Sequence, residues 1–129
     1  MAEIPQTIEV EAGVKPRRFV FVLLENFSLL SFSSAVESIR IANRMSNNPL
    51  YEWILIGEGG ETVSCSAGAQ FNLDGDLDEM LRDDRLILCG GLDVQAATTK
   101  RLLNWVRREA RRGPVIAGLC TAGFVMARA

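Results

Sequence analysis

Residues 114–129 read Pro114-Val115-Ile116-Ala117-Gly118-Leu119-Cys120-Thr121-Ala122-Gly123-Phe124-Val125-Met126-Ala127-Arg128-Ala129, and this stretch decides the fold. An apolar run, a glycine, a small polar pair and a helix-forming run describe a strand that turns sharply into a helix. The expectation is a fourth strand over 114–117, a turn over Gly118–Thr121 and a helix from Ala122. A turn of that kind belongs at the ligand-facing edge of an α/β sheet.

The preceding chain repeats the alternation. Phe19–Leu24 is apolar on both faces, as a central strand of a helix-covered parallel sheet must be. Ser28 or Ser31 can cap the helix that follows, whose Phe32, Ala35, Val36, Ile39 and Ala42 recur at helical spacing. Ser46-Asn47-Asn48-Pro49 stops it. Tyr51–Ile56 predicts a second strand closed by Gly57–Gly60, and Thr62–Phe71 either two short edge strands or an irregular connection. Arg85–Cys89 is a third buried strand, followed at once by Gly90 and Gly91. Thr98 or Thr99 caps the next helix, with Leu102, Leu103, Val106 and Ala110 inside and Trp105 over a flank. Strand, helix, strand and helix again argue for an open, mostly parallel sheet with helices on both faces. Residues 1–16 are expected to be a flexible lead or a short extra strand, and 17–129 the α/β domain. The last helix carries no stop signal, so the domain is expected to continue beyond Ala129.

The chain has 129 residues, 48% of them hydrophobic, enough for one α/β core. Sixteen acids against fourteen bases give a net charge of -2, which does not favour non-specific nucleic-acid binding. Lys100, Arg101, Arg107, Arg108, Arg111 and Arg112 are expected on the solvent side of their helix. Six acids between Asp74 and Asp84 have the glycine and closing glutamate of a calcium loop misplaced, and they read as a solvated short helix at Leu77–Leu81. The chain has three cysteines, at 65, 89 and 120, and no histidine, so the ordinary zinc patterns are excluded. The odd cysteine count points to a reducing compartment, and a cytoplasmic location is expected. Cys65 and Cys89 read as small buried hydrophobes. No apolar run approaches the roughly 20 residues of a membrane span. No metal or cofactor is expected.

Three strand ends should converge: Glu25-Asn26-Phe27, Cys89-Gly90-Gly91 and Gly118-Leu119-Cys120-Thr121. Cys120 would sit where the following helix leaves backbone N–H groups unpaired, a setting that favours anions and can form an oxyanion hole. A cysteine hydrolase needs a histidine base, and this chain has none. Glu25 is the only acid at a strand end. The balance favours Cys120 as a pocket-lining residue, with Leu119, Thr121, Gly90, Gly91, Asn26 and Phe27 beside it.

The run Glu25-Asn26-Phe27-Ser28-Leu29-Leu30 to Arg40-Ile41-Ala42-Asn43, with Tyr51-Glu52-Trp53, Cys89-Gly90-Gly91 and Gly118–Ala129, carries a resemblance across residues 17–129. The chain resembles the amino-terminal, class I glutamine-amidotransferase-like domain of AraC-type transcriptional regulators, within the superfamily of intracellular protease-like and deglycase proteins. The resemblance implies a flavodoxin-like three-layer α/β sandwich that senses a small molecule, often amino-acid-like or nitrogen-containing, and forms a homodimer. DNA binding is implied only through a carboxy-terminal domain outside this chain. Cys120 matches the elbow cysteine of the superfamily. Leu30 stands near the place of the glutamate kept by the active enzymes, and the region of their histidine would lie beyond Ala129. The alternative is a cysteine-dependent amidase, glyoxalase or deglycase-type enzyme using Cys120.

Overall fold

The computed structural model describes residues 15–129. The expected lead or extra strand over 1–16 lies almost wholly outside the described residues.

The elements run β1 (Arg17–Leu23), α1 (Leu29–Ser46), β2 (Tyr51–Ile56), β3 (Thr62–Ser64), β4 (Gln70–Asn72), β5 (Arg85–Cys89), α2 (Val94–Ala97), α3 (Lys100–Arg112), β6 (Val115–Leu119), a 3-10 helix (Cys120–Ala122) and α4 (Gly123–Arg128). Four strands form one sheet in the order β2-β1-β5-β6, every neighbouring pair parallel. Strands β3 and β4 form a separate antiparallel pair, which settles the open reading of Thr62–Phe71.

Period-two alternation along β1 sends its side chains into two cores. Phe21 and Leu23 face α1 and the β3–β4 pair, packing with Phe27, Phe32, Val63 and Cys65. Val20 and Val22 face the other way, against Leu102, Trp105, Val106, Ala122 and Val125 of α3 and the last turn. Helices therefore cover both faces of the sheet, as the doubly apolar strands predict. Ser28 caps α1 by accepting from the Ser31 N–H, and Thr99 caps α3 by accepting from the Leu102 N–H.

Some expectations fail for local reasons. The segment expected to be helical over 77–81 is irregular, because side chains take the backbone groups a helix would use. The Asp76 carboxylate accepts from Leu77 N, Glu109 from Met80 N and Asp84 from Leu81 N. Trp105 Nε1 donates to the Asp78 carbonyl at 2.8 Å and Arg112 to that of Met80 at 3.3 Å. Trp105 is thus buried rather than on a flank. Ala110 is exposed, and its place inside is taken by Glu109, which is 0% exposed. Arg112, expected in solvent, neutralises Glu109 at 2.6 Å. Asp84 is also buried and held by two hydrogen bonds from Arg18, at 2.8 and 2.6 Å. The short helix α2 was not foreseen.

Strand β6 runs two residues further than expected, to Leu119, because Gly118 and Leu119 stay in register with Leu88 and Cys89. The turn is the 3-10 helix Cys120–Ala122.

Candidate functional site at the strand ends

Parallel register sets the carboxyl ends of three strands level: Leu23 pairs with Cys89, and Cys89 with Leu119. The chain beyond each end is stitched to the others. Leu24 N donates to the Cys89 carbonyl at 3.1 Å, Ser28 N to that of Gly90 at 2.9 Å, and Leu92 N to that of Asn26 at 3.1 Å. Gly90 N donates to the Leu119 carbonyl at 3.4 Å, and Thr121 Oγ1 to that of Gly91 at 2.8 Å. The three predicted segments do meet.

The two glycines serve close approach. A Cβ on Gly90 would stand 2.7 Å from Ala122 N and 2.8 Å from Thr121 Oγ1. A Cβ on Gly91 would stand 2.6 Å from Ser28 N and also collide with the Asn26 carbonyl. Any larger residue would push the first and last turns apart.

Cys120 has a φ of 55°, in the left-handed region that non-glycine residues seldom adopt. Such outliers persist only where surrounding structure over-determines them, and they concentrate at functional sites. Here the Leu119–Cys89 pairing fixes one side and the Thr121–Gly91 hydrogen bond the other. Asn26, with a φ of 62°, is a second such residue on the same edge. Cys120 and Thr121 are exposed, Asn26, Leu119 and Gly91 half-buried, and Gly90 buried. Phe27 is 0% exposed, its ring set edge-on to Phe32 and Phe71 at 5.5 and 5.4 Å. It anchors the edge from below.

The three thiols differ in kind. Cys65 and Cys89 are buried and Cys120 is exposed. Burial pushes the Cys89 thiol up from its ordinary 9.0 to about 12, so it stays protonated and unreactive. Glu25 Oε1 accepts from Ser64 N at 3.3 Å, holding the β3–β4 pair to the end of β1. Leu30 is 78% exposed.

A cavity of about 240 Å³ opens at the same end of the sheet, between the β3–β4 pair and the start of α3. Leu24, Leu77 and Leu102 contribute its apolar wall, with Glu25, Glu58 and Thr99 around it. Thr99 Oγ1 donates to both Glu58 carboxylate oxygens, at 3.0 and 2.9 Å. Apart from the neighbouring Glu25, none of the residues expected at the strand ends lines this cavity. Glu58 was missed because a glutamate in the Gly57–Gly60 turn carries no signal of its own.

The signature of the DJ-1/PfpI family matches residues 17–129. The HTH-type transcriptional regulator GbdR of Pseudomonas aeruginosa is 36% identical over 114 residues, covering 88% of this chain and 31% of that protein. The HTH-type transcriptional regulator CdhR of the same organism is 37% identical over 111 residues, covering 86% of this chain and 33% of that one. The chain thus spans about a third of the length of these relatives. A solved AraC family transcriptional regulator from Pseudomonas putida superposes with a TM-score of 0.76 at 25% identity, over 88% of this chain and 71% of that chain.

Proposed function

Because the chain belongs to the DJ-1/PfpI family, we propose that it is the ligand-sensing, self-associating amino-terminal domain of an AraC-type transcriptional regulator. DNA binding belongs to a part of that protein outside this chain. The effector is a small, amino-acid-like or nitrogen-containing molecule, held at the strand-end edge by Cys120, Thr121, Leu119, Gly90, Gly91 and Asn26, with Phe27 as the anchor beneath. Binding shifts the self-associated state by its differential affinity for two arrangements of the domain.

One observation carries this reading. Cys120 is exposed in a strained, over-determined turn at the edge where three strand ends meet. Relatives that are regulators support the same reading over the enzyme alternative.

The test is the rate at which iodoacetamide alkylates Cys120 near pH 7, compared with a thiol in an unstructured peptide. A sensor gives an equal or slower rate. A rate ten or more times faster would overturn the reading in favour of cysteine-dependent catalysis.

A further inference from the structure

The cavity between the β3–β4 pair and the start of α3 differs from floor to rim. Its floor is apolar: Val22, Leu24, Leu77 and Leu102 are all buried. Its rim carries two exposed carboxylates, Glu25 and Glu58. Each follows a strand end, and the parallel pairing of β1 with β2, Val22 opposite Ile56, sets those ends level. Neighbouring strands lie about 4.8 Å apart, so both acids serve one small opening.

Neither acid is matched from within the chain. Glu58 receives one hydrogen, that of Thr99 Oγ1, shared between its two oxygens at 3.0 and 2.9 Å. Glu25 receives one, from Ser64 N at 3.3 Å. A carboxylate can accept about four hydrogen bonds. Among the described residues no cation forms an ion pair with either acid. Arg101, two positions after Thr99, is held instead by Asp76 at 3.0 Å. The rim therefore sets two carboxylates with spare acceptor capacity above a hydrocarbon floor.

These properties define a ligand. The rim calls for positive charge and N–H donors, and the floor for a hydrocarbon tail. The cavity, about 240 Å³, is smaller than the ~300–1,000 Å³ of ordinary ligand pockets, which limits the tail to a few carbons. A carboxylate on the ligand would meet two like charges at the rim, so a zwitterionic amino acid is disfavoured. We propose that this cavity is a second binding site, for a short-chain primary alkylammonium. Its N–H groups donate to Glu25 and Glu58, and its tail lies against Leu24, Leu77 and Leu102. The residues assigned to the effector at the strand-end edge take no part, so the two sites stand or fall separately.

The test is a titration of the ¹⁵N-labelled chain with n-butylamine hydrochloride, followed by the amide shifts of Gly59, Ser64, Thr99 and Leu102. Norvaline presents the same ammonium and a similar tail with a carboxylate added, and 1-butanol the tail without the charge. Butylamine should give saturable shifts at these amides. Norvaline and 1-butanol should bind at least about tenfold more weakly, the worth of one hydrogen bond to a charged group. Glu58→Gln and Glu25→Gln each keep an oxygen for Thr99 and Ser64 respectively, so the circular dichroism spectrum should not change. Each should weaken butylamine binding about tenfold. No saturable shift with butylamine, equal affinity for 1-butanol, or unchanged affinity in either variant would overturn the site.

Discussion

Thr121 Oγ1 donates a 2.8 Å hydrogen bond to the Gly91 carbonyl, and this contact binds the last strand-to-helix turn to the loop after β5. Gly91 in turn lies against Asn26 and Ser28. One hydroxyl thus helps to hold Cys120 in its left-handed conformation.

Thr121→Val removes the hydroxyl and keeps the branched shape. The expected loss is about 1 kcal/mol, the ordinary worth of one intramolecular hydrogen bond. Urea denaturation measures it. The freed turn should also exchange the Cys120 and Ala122 amide hydrogens faster than wild type, while those of β1 and β5 keep their protection.

Gly91→Ala should cost more, because the atoms it would strike are backbone and cannot swing away. Overpacking of this kind costs about 1–3 kcal/mol. Gly123→Ala is the control: its Cβ meets nothing within 4 Å. That exchange should stabilise the chain or leave it unchanged, and the two thermal melts should move in opposite directions or differ by several degrees.

Glu109 offers a test of the buried polar core. It has no exposure, is paired with Arg112 at 2.6 Å and accepts from Met80 N at 3.3 Å. Glu109→Ala leaves Met80 N without its acceptor and takes one of its two carboxylate partners from Arg112, and losing one member of a buried pair costs about 3–5 kcal/mol. Arg112 is partly exposed and already pairs with Glu79 at 2.6 Å, so the lower end of that range is expected. Glu109→Gln keeps an oxygen for Met80 N and should recover part of the loss in the same denaturation assay.

Cys89 predicts an alkaline response. Its thiol is pushed from 9.0 to about 12 by burial. Between these values the unfolded chain releases a proton that the folded chain keeps, so the contribution of this group is fully present below pH 9 and is lost as pH rises toward 12. The difference in stability between wild type and Cys89→Ala should therefore shrink between pH 8 and pH 10.5. A constant difference across that range would show that the thiol titrates alike in both states.

The strands were legible wherever burial on both faces left no ambiguity. Phe19–Leu24 and Leu86–Cys89 read as strands because their apolar runs are unbroken, and the edge strand Tyr51–Ile56, in which Glu52 is exposed, because its short run is bounded by Pro49 and Gly57. The convergence of Asn26, Gly90 and Cys120 followed from strand order alone. The segment 74–84 was illegible because its conformation is imposed largely from outside, by Arg18, Trp105, Glu109 and Arg112, residues 27 or more positions away from the groups they hold. A local pattern cannot report such partners. Ala110 and Glu109 exchanged roles for the same reason: apolarity favoured alanine inside, but Arg112 and Met80 N make the buried carboxylate tolerable. The Glu58–Thr99 contact at the cavity joins residues that no periodicity links.

The most direct test of the sensing account is a titration of the ¹⁵N-labelled chain with the proteinogenic amino acids and simple alkylamines, followed by amide chemical shifts. The account predicts saturable shifts, for at least one member, at Asn26, Gly91, Cys120 and Thr121. Saturable shifts confined to Glu58, Thr99 and Leu102 around the neighbouring cavity, or none with any member, would contradict it.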